Sequence, residues 1–473
     1  MSWQTLVIII YQMIVITAIL HVVMDNRQPA KTMAWIMVIW FLPVAGIIAY
    51  LFFGVNTRRE RMVSQRSMDQ LTRRSMSGFI EQNNLQLPEA NRPVIDLFVN
   101  QSFSLPFNNN KVEILTDGYE FFPSLLHDIA SARDHIHIDV YIFEDDALGR
   151  LVSDALIAKA REGVEVRVLY DDVGCWSVPT RFFERMRLEG IEVEPFMPVR
   201  FPTFARKMNY RNHRKIFIID GRVGYIGGMN FALRYVKGRH NRGWRDTMLR
   251  IEGSGVYTLQ RSFLIDWYFV DRTQLSDKKY YPKFEDEQTV GGLLQTVTSA
   301  PLAPYPEIMQ GYVRIILSAK KYIYIQSPYF LPTETVFFAL KTAVASGVDV
   351  RVMVPRKTDG WFVEWGSRSY LREAQEAGIQ ILLYEPRFLH AKMLVCDDCI
   401  CTCGSTNLDF RSFLNNFEAN TFVYDETVAL QMQHVFLRDA ELSTPLASLQ
   451  KRIHPRFFTR LGESVMRLLS PLL

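Results

Sequence analysis

Residues 213–230 read HRKIFIIDGRVGYIGGMN and residues 390–407 read HAKMLVCDDCICTCGSTN. Each stretch sets Lys two residues after His and Asp five after Lys. Gly follows seven after Asp, with Gly or Ser next, and Asn comes three after that first Gly. Five identical positions at roughly one in twenty apiece, with a sixth that is Gly or Ser, exclude coincidence. Three flanking pairs keep the same order: SARDHIHIDVYIF with SAKKYIYIQSPYF, displaced by 187, GVEVRVLY with GVDVRVMV, displaced by 184, and EGIEVEPF with AGIQILLY, displaced by 188. The motifs themselves are displaced by 177. One nearly constant offset predicts two copies of a unit of about 180 residues.

Within a copy, β-branched runs such as VEVRVLY alternate with amphipathic helices such as LGRLVSDALIAKAREG, which ends on a glycine. Strand and helix in repeated alternation predict an α/β sandwich. Two copies most simply face each other across a pseudo-two-fold axis. The expected divisions are 1–54, 55–110 as linker or juxtamembrane segment, 111–295 for the first unit and 296–473 for the second.

The first division is of another kind. Thr5–Met24 and Met33–Phe53 are runs of 20 and 21 residues without Asp, Glu, Lys or Arg. Each is long enough for a hydrocarbon core of about 30 Å, so a transmembrane helical hairpin is expected. No basic residue precedes the first run, which argues against a cleaved signal peptide. Arg58, Arg59, Arg61, Arg66, Arg73 and Arg74 follow the second run, so both termini and the two units are expected on the cytoplasmic side of the membrane.

A net charge of +4 over 473 residues, with no long basic stripe, gives no support to a nucleic-acid partner. Five cysteines, Cys175 and the cluster Cys396, Cys399, Cys401 and Cys403, form no spread-out disulfide framework. Alternation through Ile400 and Thr402 puts Cys399, Cys401 and Cys403 on one face of a strand, which favours structural thiols over a zinc site.

Period-two alternation aims His213 and Lys215 at one volume, and His390 and Lys392 likewise. Asp220-Gly221 is a hairpin turn. Asp220 has the opposite parity to Lys215, so it reads as a turn cap, and Asp397 takes the same place in the second motif. Gly227-Gly228 admits close backbone approach. Asn230 and Asn407 offer amides, and Ser405 a hydroxyl where the first motif has Gly228. Asp246 in GWRD and Glu418 in NNFE are the carboxylates expected to hold the imidazoles through one nitrogen.

The candidate catalytic set is therefore His213, Lys215, Asp220, His390, Lys392 and Asp397. Asn230, Asn407, Ser405, Gly228, Asp246 and Glu418 support it. Two imidazoles and two ammonium groups suit a phosphodiester: the lysines bind non-bridging oxygens, one histidine attacks phosphorus and the other protonates the leaving alkoxide. The motif has no carboxylate cluster for Mg²⁺ or Ca²⁺, so neither metal nor cofactor is expected.

On these residues the chain resembles the phospholipase D superfamily, whose hallmark is the duplicated HKD motif. Within it the sequence is most similar to bacterial cardiolipin synthases, on Arg27, Pro29, Ala34-Trp35, Pro43, Gly46 and Phe53-Gly54, on LDFRSFLNNFE at 408–418, and on the terminal SPLL. The resemblance covers nearly the whole chain. It implies a membrane enzyme that moves a phosphatidyl group from one phosphatidylglycerol to the hydroxyl of another and releases glycerol, with His213 as the attacking residue. Hydrolysis, phosphatidylserine synthesis, nuclease action and a non-enzymatic lipid-binding scaffold are the competing readings. The sequence assigns no oligomeric state.

Two further features point at lipid. The loop PVRFPTFARKMNYRNHRK interleaves Arg200, Arg206, Lys207 and Arg211 with Phe201, Phe204 and Tyr210, as a headgroup-facing loop does. The segment RFFTRLGESVMRLLSPLL is an amphipathic helix, expected next to the membrane.

Overall fold

The computed structural model describes residues 3–25, 29–50, 54, 87–102, 104–199, 210–238, 243–284, 291–301, 303–452 and 457–469. Most of the basic loop at 200–211 lies outside the described residues.

The N-terminal runs form α1 (Trp3–Asp25), α2 (Pro29–Phe41) and α3 (Pro43–Ala49). Val15 and Val22 of α1 pack against Ile39 and Tyr50. Only the stretch Trp3–Met24 is, among the described residues, one helix long and apolar enough to cross a membrane. The second run, Met33–Phe53, is described as far as Tyr50 and is interrupted at Leu42. Pro43 has no N–H and its ring collides with the carbonyl four residues back, so the helix stops at Phe41 and restarts at Pro43.

The first copy contains β1 (Phe107–Asp117), α5 (Gly118–Ser131), β2 (His135–Val140), α6 (Ala147–Arg161), β3 (Glu165–Asp171), α7 (Thr180–Leu188), β4 (Glu192–Phe196), β5 (Lys215–Ile219), β6 (Val223–Gly227), β7 (Arg245–Glu252) and α8 (Val256–Asp271); α4 (Arg92–Ser102) precedes it. The second contains β8 (Gly292–Ser299), α9 (Glu307–Ser318), β9 (Tyr322–Gln326), β10 (Phe330–Leu331), α10 (Glu334–Ala345), β11 (Asp349–Pro355), α11 (Trp361–Glu376), β12 (Gln380–Tyr384), β13 (Met393–Cys396), β14 (Ile400–Gly404), β15 (Leu408–Asp409), α12 (Phe410–Leu414), β16 (Glu418–Val423), α13 (Glu426–Glu441) and β17 (Ser443–Pro445). The final helix is α14 (Phe457–Leu469).

Strand order shows the duplication. One half runs β1-β7-β6-β5-β2-β3-β4 and the other β8-β16-β14-β13-β9-β11-β12, strand for strand, with β17 added at the second edge. The halves join through the antiparallel pair β1–β8, with Phe107 opposite Leu294 and Asn110 opposite Gly292. Local chemistry repeats too. Helix α6 starts where the Asp146 carboxylate accepts from the Leu148 and Gly149 amides (3.0 and 2.9 Å) and is followed by Gly163 at φ +91°. Helix α10 starts on the Thr333 hydroxyl, which accepts from the Val336 amide, and is followed by Gly347 at φ +88°.

Three apolar layers result. Helices α5, α6 and α7 cover the outer face of the first half, and α9, α10 and α11 that of the second. The layer between is shared: Ile216, Ile226 and Leu249 pack in one cluster with Met393, Cys401 and Cys403 and with residues of α8 and α13. Strands buried on both faces explain why β2 and β9 read as unbroken runs of buried residues.

Two expectations are revised. Residues 55–86 lie outside the described residues, but the rest of the supposed linker is structured. Helix α4 buries Val94, Ile95 and Phe98 in the outer core of the second copy, with the Phe98 and Phe422 rings 4.6 Å apart, and β1 begins at Phe107. Cys399 does not share a face with Cys401 and Cys403. It sits in the turn before β14 and packs on the outer layer, because alternation starts only where the strand does. All five thiols are free, and burial pushes each upward in pKa.

Candidate active site

The two motif hairpins end at the seam between the copies. Each histidine stands just before its strand, in a segment that pairs with the opposite copy. Asn212 bridges Phe417 and Leu389 bridges Arg245, both in parallel sense. The His213 amide donates to the Phe417 carbonyl (2.9 Å), and the Phe417 amide to that of Arg211 (2.9 Å). Equivalently, the Arg245 amide donates to the Phe388 carbonyl (2.8 Å) and the His390 amide to that of Arg245 (2.7 Å). Backbone ladders thus carry His213 to the residue beside Glu418, and His390 to the residue beside Asp246.

The side chains complete the crossing. His213 Nδ1 lies 3.1 Å from both Glu418 oxygens, and His390 Nδ1 lies 2.6 Å from Asp246 Oδ2. Each imidazole is held by the other copy's carboxylate, a partnership that spacing along one copy does not encode. With Nδ1 so engaged, Nε2 is the nitrogen left for substrate. The rings are 13 % and 9 % exposed and both carboxylates fully buried.

The lysines are buried as well. Lys215 Nζ donates to the His213 carbonyl (2.6 Å) and lies 5.2 Å from the Tyr141 ring centroid. Lys392 Nζ donates to the His390 carbonyl and lies 2.8 Å from His390 Nδ1 and 4.0 Å from Asp246. Burial lowers Lys215 to about 7, against the pull of Glu418, and lowers Lys392 too. Burial also lowers His213 to about 4 and His390 to about 3, Lys392 being the second cause for His390. Burial alone would raise Glu418 and Asp246, but His213 and Lys215 hold the first below its ordinary value, and Lys392 and His390 hold the second. Lys392 acts on His213, Lys215 acts on His390, and both lysines feel both carboxylates. The site is one electrostatic unit, assembled with neutral imidazoles and ready for an anion.

The remaining sequence-predicted residues divide. Asp220 and Asp397 are not brought to the imidazoles. Seven residues of strand, about 23 Å, separate each from its histidine. At the far turn the Asp220 carboxylate accepts from the amides of Arg133, Asp134 and His135 (2.8, 2.8 and 2.9 Å), and Asp397 from those of Lys320, Lys321 and Tyr322 (2.6, 2.8 and 2.8 Å). Both aspartates adopt positive φ, 52° and 51°, as do Gly221 and Asp398 after them, 61° and 58°: these are the two central positions of a mirror-image turn within a three-residue connection. Asn230 is buried, yet its amide is spent within the first copy. Its Oδ1 accepts from the Ile142 amide (3.0 Å) and its Nδ2 donates to the Tyr235 hydroxyl (2.8 Å). The expected donor to substrate is corrected to a brace. Asn407 is buried, with Oδ1 unpaired among the described groups.

Ser405 donates to Glu418 and accepts from the Ala419 amide (3.0 Å), while Asn416 donates to the same carboxylate (3.1 Å). Gly228 has no room for a side chain: a Cβ there would meet Asp246 Oδ1 at 2.1 Å. The sequence reading missed the aromatic walls. Tyr141 stands edge-on to His213 at 4.9 Å, and Trp244, Phe388 and Tyr235 surround His390 at 5.0, 5.9 and 5.9 Å. Trp244 and Phe388 each lie two residues before a named site residue, which was the available signal.

Known proteins agree with this architecture. A family model described as "Cardiolipin synthase, PLD-like domain" matches residues 125–267 and 312–440, and one described as "Phospholipase_D-nuclease N-terminal" matches residues 13–54. The major cardiolipin synthase of Bacillus subtilis (strain 168) is 37 % identical over 97 % of this chain and 97 % of its own. A cardiolipin synthase of Oceanobacillus iheyensis is 39 % identical over 96 % of each, and cardiolipin synthase 1 of Staphylococcus epidermidis (strain ATCC 12228) is 38 % identical over 95 % of this chain and 93 % of its own. The crystal structure of phosphatidylserine synthase from Haemophilus influenzae Rd KW20 shares the fold, with a TM-score of 0.63 over 82 % of this chain and all of that one, at 15 % identity. With two buried His-Lys pairs exchanging carboxylates across the seam, and with matches of this length on both copies, the chain belongs to the cardiolipin synthase family of phospholipase D-like proteins.

Proposed function

We propose that the protein is a phosphatidyltransferase that makes cardiolipin from two molecules of phosphatidylglycerol. The observation that supports this most directly is the crossed pairing of His213 with Glu418 and His390 with Asp246 around two buried lysines. The lysines receive the non-bridging phosphate oxygens and the charge that grows on them as phosphorus becomes five-coordinate. His213 Nε2 attacks phosphorus, the P–O bond to the terminal glycerol breaks, and His390 gives that alkoxide its proton. A second phosphatidylglycerol enters. Its hydroxyl passes a proton to His390 as its oxygen attacks phosphorus, the P–N bond breaks, and His213 is restored.

His390 is neutral in the empty site, and the negative charge of the bound phosphate draws a proton from solvent onto it. A group whose proton is otherwise weakly held, as at His390, is then a strong donor to the departing alkoxide. The aromatic walls around the imidazoles limit the approach of water, which favours a lipid hydroxyl as acceptor. Asp220 and Asp397 serve by fixing the hairpins that present the histidines. In this reading α1 to α3 hold the chain in the bacterial inner membrane as a two-pass hairpin, with the catalytic copies on the cytoplasmic side.

Incubating membranes that contain the protein with phosphatidylglycerol alone, then separating the lipids, tests the proposal. Cardiolipin plus glycerol is the expected outcome. Phosphatidic acid plus glycerol means hydrolysis instead, and no turnover means a scaffold. Mapping the trapped phosphatidyl adduct to residue 213 or 390 decides which imidazole attacks.

A further inference from the structure

The helix α14 is docked inside out. Its polar side faces the protein: Glu463, 3 % exposed, pairs with Arg372 of α11, and Arg467 donates to Glu373 (2.7 Å) and Ser369 (3.3 Å) and lies 4.2 Å over the Tyr370 ring. Gly462 permits the approach, since a Cβ there would meet the Trp365 ring at 2.5 Å. On the other side Phe457, Phe458, Leu461 and Val465 are 73, 82, 50 and 48 % exposed. At about 100° per residue these four fall in one sector about 100° wide, bordered by exposed Arg460 and Ser464. A helix at a water boundary turns the opposite way.

The charge of the sequence that leads into this face selects its partner. Residues 451–460, KRIHPRFFTR, hold four Lys or Arg and no Asp or Glu. A second copy meeting the face symmetrically would bring up a face bordered by the same Arg460, with no Asp or Glu from 451–460 to pair the cations. An anionic lipid surface would neutralise them and take the apolar row.

We propose that α14 lies in the plane of an anionic bilayer surface, with Phe457, Phe458, Leu461 and Val465 among the upper acyl carbons and Arg460 among the phosphates. Its polar contacts to α11 tie the second copy to that surface, as α1 ties the N-terminus. Two attachments far apart in sequence hold the shared site at a fixed orientation over its lipid. The proposal needs a membrane-bound chain and does not need the transfer chemistry.

Full-length Phe458→Trp protein in vesicles of phosphatidylglycerol and phosphatidylcholine, with and without brominated acyl chains, tests it. The fluorescence that the new indole adds over the parent is expected to fall by about half or more on bromination. Adding Leu461→Asp and Val465→Asp should abolish that quenching, with circular dichroism checking that helix content is kept. An unquenched indole overturns the proposal, and concentration-dependent cross-linking through residue 458 would assign the face to a second copy instead. Because quenching is read without turnover, failure of the synthase reading leaves the result interpretable.

Discussion

The two imidazole pockets share a backbone and differ in almost everything attached to it. At His213 the carboxylate is a glutamate, steadied by Ser405 and Asn416. At His390 it is the shorter aspartate, steadied by the Thr247 amide (2.7 Å) and pressed against Gly228. Among the described residues His213 has one aromatic neighbour and His390 three. Beneath His213, Asp139 accepts from Asn212 (2.8 Å), and burial followed by the charge of Asp266 pushes it well above the carboxylate range, while Arg214 pairs with Asp266. In the second copy Gln326 replaces Asp139, and the equivalent Asp439 is met by Gln326 (2.8 Å) and by Arg245 from the first copy (2.9 Å). Duplication conserved where the imidazoles stand, and divergence separated what each can do with a proton.

The harshest way to break the comparison is to remove a ring. His213→Ala and His390→Ala are each expected to lower kcat by at least about 10³-fold with helix content unchanged by circular dichroism. Substantial turnover in either refutes the two-histidine scheme. Glu418→Gln and Asp246→Asn come next, each expected to cost about 10²-fold in kcat, and a loss confined to one of them would mean that one imidazole needs no orientation.

Gly228→Ser and Ser405→Gly test the asymmetry itself. Serine at 228 collides with Asp246, so a loss of about tenfold or more in kcat is expected, against a few-fold loss for Ser405→Gly, which removes one donor from Glu418. The reverse order would show that the pockets tolerate exchange.

Acid titration separates them less. Both histidines titrate below the unfolded value of 6.5, so between pH 6.5 and about 4 the unfolded chain binds protons that the native one refuses, and stability falls as pH drops. Replacing either with Asn should flatten that slope by up to about 1.4 kcal/mol per pH unit, read from denaturant unfolding in detergent. The smallest effect on chemistry belongs to Asp220→Ala and Asp397→Ala. Each strands three amides and should cost about 2 kcal/mol of stability, while activity per folded molecule holds. A chemical defect in fully folded protein would return the aspartates to the mechanism.

The copies, their strand order and the His-Lys pairs were legible because period-two alternation and a repeated spacing survive divergence. The turn role of Asp220 was legible from parity alone. The crossing of Glu418 to His213 was not, since an offset between copies says nothing of which partner meets which across an axis. Asn230 misled because its competitor, the Tyr235 hydroxyl, is revealed only when the chain folds back on itself. Pro43 was visible from the outset as a helix breaker, and the length of the apolar run masked it. For α14, amphipathicity gave two faces without saying which one the protein keeps.

Helix α4 has a consequence for the ancestry of the molecule. It belongs to the N-terminal stretch, yet it fills the outer layer of the later copy, where Asn91 Nδ2 also donates to the Cys399 carbonyl (3.0 Å). A hypothetical progenitor with a single unit would have worn its own cover there. The modern later copy borrows its cover from the far end of the chain, so severing the polypeptide between the units would leave one fragment uncovered and the other carrying a plug with nothing to close.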